Sequence, residues 1–270
     1  MRTQFRKLEE YYAVFLASLK SSMHYKTDIA LSLIFRISTA LLLIFVWTVI
    51  FASSGANSLN GLTLPFVYAY FFLVAAMSLF ISSEVHITMQ DDIREGTIAS
   101  SLVRPVNYIT QLVLNSFGDM FIFIIFIGIP ILIIGLLLAH VSVSPTTALL
   151  FVGEIILGNI FLFILMFLIG MAAIYFTHIW GLSWVAYAVI GLLGGAVLPL
   201  NFYPSAVQNI IFLTPMPMVF YTPISTLLGT ISMQSAANSM IVTLLWIIPF
   251  AALVSYLWNR ARKNITSAGG

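Results

Sequence analysis

The chain has 270 residues, of which 61% are hydrophobic and 7% are charged, and its formal net charge is +2. A soluble domain carries about a quarter charged residues, so the composition excludes a soluble enzyme and predicts an integral membrane protein. The sequence contains no cysteine, which excludes disulfides and thiolate metal sites within this chain.

An amphipathic stretch opens the chain. Over residues 3–23, aromatic and aliphatic side chains recur every three or four positions, and the basic residues lie mostly off that stripe. A helix with this pattern lies in the membrane interface, so we predict an N-terminal interfacial elbow over residues 1–28. A cleaved signal peptide is the alternative, although Glu9 and Glu10 fall where its apolar core would begin.

Six apolar segments follow, each long enough to cross a bilayer, which takes about 20 apolar residues. They cover residues 29–52, 64–83, 108–138, 147–176, 181–200 and 238–258. The predicted fold class is an all-α integral membrane protein with six transmembrane helices over residues 29–258 and a tail over residues 259–270, all in one transmembrane domain. We expect Pro130 to kink the third helix, and Gly170, between Met166 and Met171, to allow a close helix contact.

Basic residues fall on one side of the predicted membrane. Lys and Arg precede the first span, lie between the second and third spans and follow the sixth span, whereas the connections over residues 53–63, 139–146 and 201–237 contain none. Since Lys and Arg are retained on the cytoplasmic side, we predict a multi-pass protein of the cell membrane with both termini in the cytoplasm.

A cluster of charged residues lies between the second and third spans: Asp91, Asp92, Arg94, Glu95 and Arg104. In a membrane protein such a cluster must contact water. The sequence from residue 94 to residue 108 is amphipathic and is stopped by Pro105, so it predicts one short helix on the cytoplasmic membrane surface. Such an element suits the docking of a soluble partner.

The segment over residues 194–229 is apolar and uncharged, and it holds five of the ten prolines: Pro199, Pro204, Pro215, Pro217 and Pro223. It cannot form one straight helix. Non-helical backbone at membrane depth requires cover by protein or a wet cavity, so we predict short broken helices that re-enter from the outer face between the fifth and sixth spans. A merely hydrophobic outer loop is the alternative.

Three ionisable residues fall inside predicted spans, where charge is costly and indicates function. Arg36 and Asp119 lie at similar depth and could pair; alternatively, the Arg36 side chain extends to the headgroups. Glu154 either faces a wet cavity or binds a cationic substrate. Alternatively, its carboxylate is held by backbone or Ser/Thr groups, or it is protonated. We predict no metal or proteolytic site, because the four histidines are isolated and no His-Glu-x-x-His motif occurs.

The order of these elements and one local motif resemble the permeases of type-2 ATP-binding-cassette (ABC) exporters. The motif is Ile-Arg-Glu-Gly-Thr-Ile at residues 93–98, followed by Leu-Val-Arg-Pro-Val-Asn at residues 102–107. It is similar to a charged-Glu-Gly-Thr, then Leu-x-Arg-Pro stretch of drug- and viologen-exporter permeases. The resemblance covers essentially the whole chain.

The resemblance implies a role for the motif. It would be a coupling helix that rests in a cleft of a separate cytoplasmic ATPase, with these docking residues: Arg94, Glu95, Gly96, Thr97, Ile98, Leu102 and Arg104. ATP and Mg²⁺ would bind to the ATPase, and no cofactor would bind to this chain. Its sequence lacks a Gly-x-x-x-x-Gly-Lys-Ser/Thr phosphate loop. Two permease chains, identical or paralogous, would work with two ATPases.

Under this interpretation the chain is a non-enzymatic subunit that exports a hydrophobic or amphiphilic compound, drug-like or lipid-like. Arg36, Asp119 and Glu154 are candidates for the translocation path, and the five prolines mark an outer gate. The expected partners are the ATPase, a second permease and membrane lipid, without nucleic acid. The alternative is an ion- or proton-coupled secondary transporter that uses Asp119 and Glu154, although no internal inverted repeat is visible. A lipid-modifying intramembrane enzyme would need clustered acids or histidines, which the sequence lacks.

Overall fold

The structure, a computed structural model, describes residues 26–80, 84–103, 106–176 and 178–268, together with Tyr11 and Leu16. The elbow predicted over residues 1–28 lies almost wholly outside these ranges. So do Arg104 and Pro105, and the side chains of Leu102 and Asp119 are likewise not among those described.

The described part of the chain is helical apart from loops and one small hairpin. Its α-helices are α1 Lys26–Ser54, α2 Leu64–Phe80, α3 Val85–Arg94, α4 Thr97–Val103, α5 Tyr108–Phe123, α6 Ile129–Ala139, α7 Pro145–Met171, α8 Trp180–Leu193, α9 Ser205–Ile211, α10 Tyr221–Leu227 and α11 Met233–Ala268. Three 3-10 turns cover Ala172–Ile174, Leu200–Phe202 and Met216–Met218. In the hairpin, strands β1 (Ser58–Leu59) and β2 (Leu62–Thr63) pair antiparallel.

Three of these helices contain stretches long and apolar enough to cross a membrane: Leu33–Ser54, Pro145–Ile174 and Met233–Arg262. Three shorter apolar helices cover Leu64–Leu79, Ile124–Ala139 and Trp180–Leu193. All six coincide with the predicted spans, so the all-helical membrane class is confirmed. The count of six transmembrane helices remains a prediction, because half of the helices fall short of the usual spanning length.

The fifth span is shorter than predicted, since its helix ends at Leu193 and not at residue 200. Two consecutive glycines follow, and Gly195 has a φ of +89°, a conformation that costs most other residues about 1–2 kcal/mol. The Tyr70 hydroxyl of α2 donates a hydrogen bond of 2.7 Å to the Gly195 carbonyl. A Cβ atom at Gly195 would lie 2.9 Å from that hydroxyl oxygen, so packing against α2 also requires glycine here.

The third span runs from α5 to α6 through a π-helical turn at Ile124–Gly128. This turn immediately precedes Pro130, the predicted kink position. Proline has no N–H to donate to the preceding turn, and a π turn is one local adjustment that accommodates such a break in the helical ladder. The helix that contains the last span is longer than the predicted span, because α11 continues from Met233 to Ala268.

The helices pack into a bundle with α2 and α7 in its interior. Helix α2 contacts α1 and α6, whereas α7 contacts α3, α10 and α11. Outer helices expose large apolar side chains, among them Phe35 at 73% and Phe45 at 68% on α1 and Ile248 at 67% on α11. Faces this apolar are avoided in water and fit helices that contact lipid. We call the end of the bundle that carries α3 and α4 the charged end, and the opposite end the hairpin end.

Candidate functional site at the charged end

The stretch predicted to form one short helix stopped by Pro105 contains the short helix α4, and a second short helix, α3, precedes it. Helix α3 ends at Arg94 and α4 begins at Thr97. Between them Gly96 has a φ of +75°, a left-handed conformation that glycine adopts without strain and that commonly ends helices. Apart from Gly96 and its two chain neighbours, no atom of the described chain lies within 4 Å of a Cβ built on Gly96. Backbone conformation, not close packing within the chain, therefore requires this glycine.

The tip of this turn projects charged and polar side chains. Arg94, Glu95 and Thr97 are exposed. Arg94 Nη2 lies 3.8 Å from Asp91 Oδ1, and both side chains are about half exposed at 49% and 45%. An ion pair this exposed contributes at most about 1 kcal/mol to stability, so it leaves Arg94 able to exchange partners.

Ile98, one of the docking residues that the family resemblance implies, is only 3% exposed. It lies in a buried cluster formed by α3, α4, α5, α7 and α11: Val85, Met89, Tyr108, Leu112, Phe167, Met171, Val254 and Trp258. The sequence interpretation missed this because the surrounding residues come from distant parts of the chain. The Ile98 side chain therefore anchors α4 to the bundle.

Helix α3 lies directly on the last turn of α7. A Cβ atom at Gly170 would come within 3.1 Å of His86 Cα and 3.2 Å of Met89 Cβ, so the two backbones approach closely where glycine permits it. The close contact expected at Gly170 is confirmed, and its partner is α3. In addition, Gln90 Oε1 accepts a hydrogen bond of 2.8 Å from the Ile179 backbone N–H, which ties α3 to the start of α8.

Asp92 connects the helix pair to the third span. Its Oδ1 accepts a hydrogen bond of 2.9 Å from the Thr97 hydroxyl, and its Oδ2 accepts one of 2.7 Å from the Tyr108 hydroxyl. The Tyr108 ring stacks on Trp258 of α11 with centroids 5.5 Å apart and an interplanar angle of 16°. The sequence interpretation gave no role to Tyr108 or Trp258, since only the fold brings them together.

Glu154 is the buried acid of α7, with 0% exposure. Its Oε1 accepts a hydrogen bond of 2.7 Å from the Thr226 hydroxyl of α10. Among the described residues, neither Glu154 Oε2 nor the Thr222 hydroxyl of α10 has a hydrogen-bond partner. The structure therefore agrees with the interpretation in which a Ser/Thr group holds the carboxyl group, here Thr226 at the contact between α7 and α10.

Arg36 donates a hydrogen bond to the Ser78 hydroxyl of α2. Since the Asp119 side chain lies outside those described, its pairing with Arg36 stays a prediction. The structure therefore does not bring the three predicted path residues into one described site.

The segment over residues 194–229 contains short helices, as its prolines predict. Pro199, Pro204 and Pro215 each precede one of them, and Pro223 lies in the first turn of α10. The first N–H groups of a helix have no partner in any case, so proline is tolerated there. Pro217 lies within the 3-10 turn Met216–Met218.

Spans and hairpin hold this segment in place. All seven residues of α10 are buried. Trp246 Nε1 of α11 donates a hydrogen bond of 2.8 Å to the Leu213 carbonyl, and the Asn60 amide of the hairpin donates one of 3.2 Å to the Asn201 carbonyl. Protein therefore covers the non-helical backbone, which argues against a loosely attached loop.

A cavity of about 170 Å³ opens between α5 and α7. Aromatic and aliphatic side chains form most of its wall, and Ser116 and Asn159 are its polar lining residues. Neither Arg36 nor Glu154 lines it. Its wall is suited to an uncharged, largely apolar molecule.

Apolar helices of membrane length, a helix pair with a charged tip at one end and a broken helical segment at the other define an α-helical membrane protein. A comparison with known protein families matches residues 37–269 to the ABC-2 family transporter proteins. The chain therefore belongs to the ABC-2 transporter family and is an ABC permease subunit. As a membrane domain of that family it is a transport component and not itself catalytic, and its family generally works with an ATPase subunit. A comparison with curated proteins gives no significant match.

Proposed function

We propose that the chain is the permease subunit of an exporter in the cell membrane, driven by a separate cytoplasmic ATPase that binds ATP and Mg²⁺. The observation that carries this proposal is the charged turn at Gly96, which projects from the bundle while its flanking helices are anchored to the spans. A projecting turn with buried anchors can receive a force from a partner and pass it to the spans.

Docking would involve the exposed tip. Arg94 and Glu95 can pair with opposite charges on the ATPase, and Gly96 leaves room above the turn. The family resemblance adds Leu102 and Arg104 to this surface. Ile98 would contribute indirectly, by fixing α4 against the bundle. The distribution of Lys and Arg supports a cytoplasmic location for this end and for both termini.

Export would require a second permease copy or paralogue, with the path between the two chains. The hairpin end would then face outward, and the proline-rich segment with its buried helix α10 would act as the outer gate. The apolar cavity between α5 and α7 supports a hydrophobic or amphiphilic substrate, drug-like or lipid-like, that enters from the cytoplasm or the inner leaflet.

The docking assignment is tested by two matched glycine variants, Gly96→Trp and Gly61→Trp. Gly61 lies in the hairpin with a φ of +79°, and a Cβ there also meets no atom within 4 Å. Backbone strain is therefore similar at both sites, at about 1–2 kcal/mol. We expect Gly96→Trp to abolish co-purification of the ATPase and nucleotide-driven transport, whereas Gly61→Trp leaves both intact. Equal behaviour of the two variants would contradict docking at the Gly96 turn.

A further inference from the structure

Both carboxylate oxygens of Asp92 are used inside the chain. One accepts from Thr97 at the start of α4, and the other accepts from Tyr108 at the start of α5. Hydrogen bonds to a carboxylate are stronger and more directional than those between neutral groups. Asp92 is thus a fixed link between the Gly96 turn and the third span, unlike Asp91, whose half-exposed side chain pairs with Arg94.

The link continues through aromatic rings into the last span. Tyr108 stacks on Trp258, and Trp258 contacts Phe167 of α7 edge to face, with centroids 5.4 Å apart and an interplanar angle of 73°. Trp258 is 4% exposed and Phe167 is 0% exposed, so neither ring has room to move alone. Close-packed side chains transmit displacement because the interior has few voids.

We propose that Asp92, Tyr108 and Trp258 form a relay that carries displacement of the Gly96 turn into α11 and so to the hairpin end of the bundle. This inference rests on the proposed function. In the relay, Asp92, Tyr108 and Trp258 are positioning residues that contact neither ATP nor substrate. Apolar contacts such as that of Ile98 hold the turn against the bundle, and the Asp92–Tyr108 hydrogen bond adds a directional contact that fixes one geometry between turn and span.

If Tyr108 acts in the relay, one variant should show an effect that a purely structural role of Tyr108 would not produce. Replacing Tyr108 with Phe keeps the ring that stacks on Trp258 and removes only the hydroxyl group that donates to Asp92. ATPase docking should survive this change, because the exposed tip is untouched. The response of the hairpin end to nucleotide should be lost.

The experiment measures a distance at the hairpin end. Because the natural chain has no cysteine, Thr146→Cys and Gln234→Cys place spin labels at two exposed positions, near the start of α7 and of α11. Pulsed electron paramagnetic resonance gives the distance between the labels in the purified permease–ATPase complex, with and without a non-hydrolysable ATP analogue. Tyr256→Phe is the matched control, since Tyr256 lies on α11 near Trp258 but is 62% exposed.

We expect the analogue to change the distance in the parent chain and in Tyr256→Phe, and to leave it unchanged in Tyr108→Phe although the ATPase still co-purifies. A distance change in Tyr108→Phe equal to that of the parent chain would overturn the relay. Loss of the ATPase from Tyr108→Phe would also overturn it, because the Asp92–Tyr108 contact would then belong to docking. If Tyr108→Phe does not fold, Asp92→Ala, which removes the acceptor of the Tyr108 hydrogen bond, tests the relay in its place. No ATPase or no nucleotide response in the parent chain would overturn the proposed function itself, and the relay with it.

Discussion

At the residue scale, the buried acid Glu154 separates two accounts of transport. In the exporter account it is a hydrogen-bond acceptor that fastens α10 to α7 through Thr226. In the ion-coupled account it must gain and lose a charge. The two accounts therefore predict opposite effects on transport when Glu154 is replaced by its neutral isostere glutamine.

We expect Glu154→Gln to retain transport, because the glutamine carbonyl can still accept from Thr226. Thr226→Val removes the donor and leaves the buried acid with no hydrogen bond from a described residue. That variant should lower the free energy of unfolding by about 1–3 kcal/mol, measured by thermal unfolding in detergent. Loss of transport in Glu154→Gln, with unfolding unchanged, would favour coupling to an ion or proton.

At the scale of elements, the contact between α3 and α7 positions the docking turn. It depends on Gly170, where the two backbones approach closely. We expect Gly170→Leu to force α3 away from α7 and to cost about 1–3 kcal/mol of stability, with reduced retention of the ATPase. The control is Gly181→Leu, since Gly181 is exposed and its Cβ would meet no atom within 4 Å, so its effect should stay within about 0.5 kcal/mol. Unaltered docking in Gly170→Leu would show that α3 need not rest on α7.

Sequence reasoning found the elements whose signal is local. Apolar runs gave the positions of the spans, and prolines gave the broken segment, because each signal depends on residues that are adjacent in the chain. It did not predict helix α3 or the left-handed turn at Gly96, since a glycine within an amphipathic run is compatible with a helix start as well as with such a turn. It also missed the burial of Ile98 and the contacts of Asp92, which depend on Tyr108, Phe167 and Trp258 from three other helices.

At the scale of the whole molecule, topology is the testable feature. With six spans, α4 lies in the cytoplasm and α9 lies outside. Ser100→Cys and Ser205→Cys place single thiols at exposed positions on these helices, in a chain that has no other cysteine. A membrane-impermeant maleimide should label Ser205→Cys in intact cells and Ser100→Cys only after the cells are opened. Labelling of Ser100→Cys in intact cells would contradict the predicted orientation.

The central claim is that ATP hydrolysis on another polypeptide drives transport through this permease. The most direct test is a tagged purification in mild detergent from the native host, with mass-spectrometric identification of the chains that co-elute and an assay of ATP hydrolysis. We predict a soluble partner with a phosphate-binding loop and ATPase activity that follows the permease through purification. A permease that elutes alone after gentle extraction, without ATPase activity, would contradict the claim and direct attention to Asp119 and Glu154.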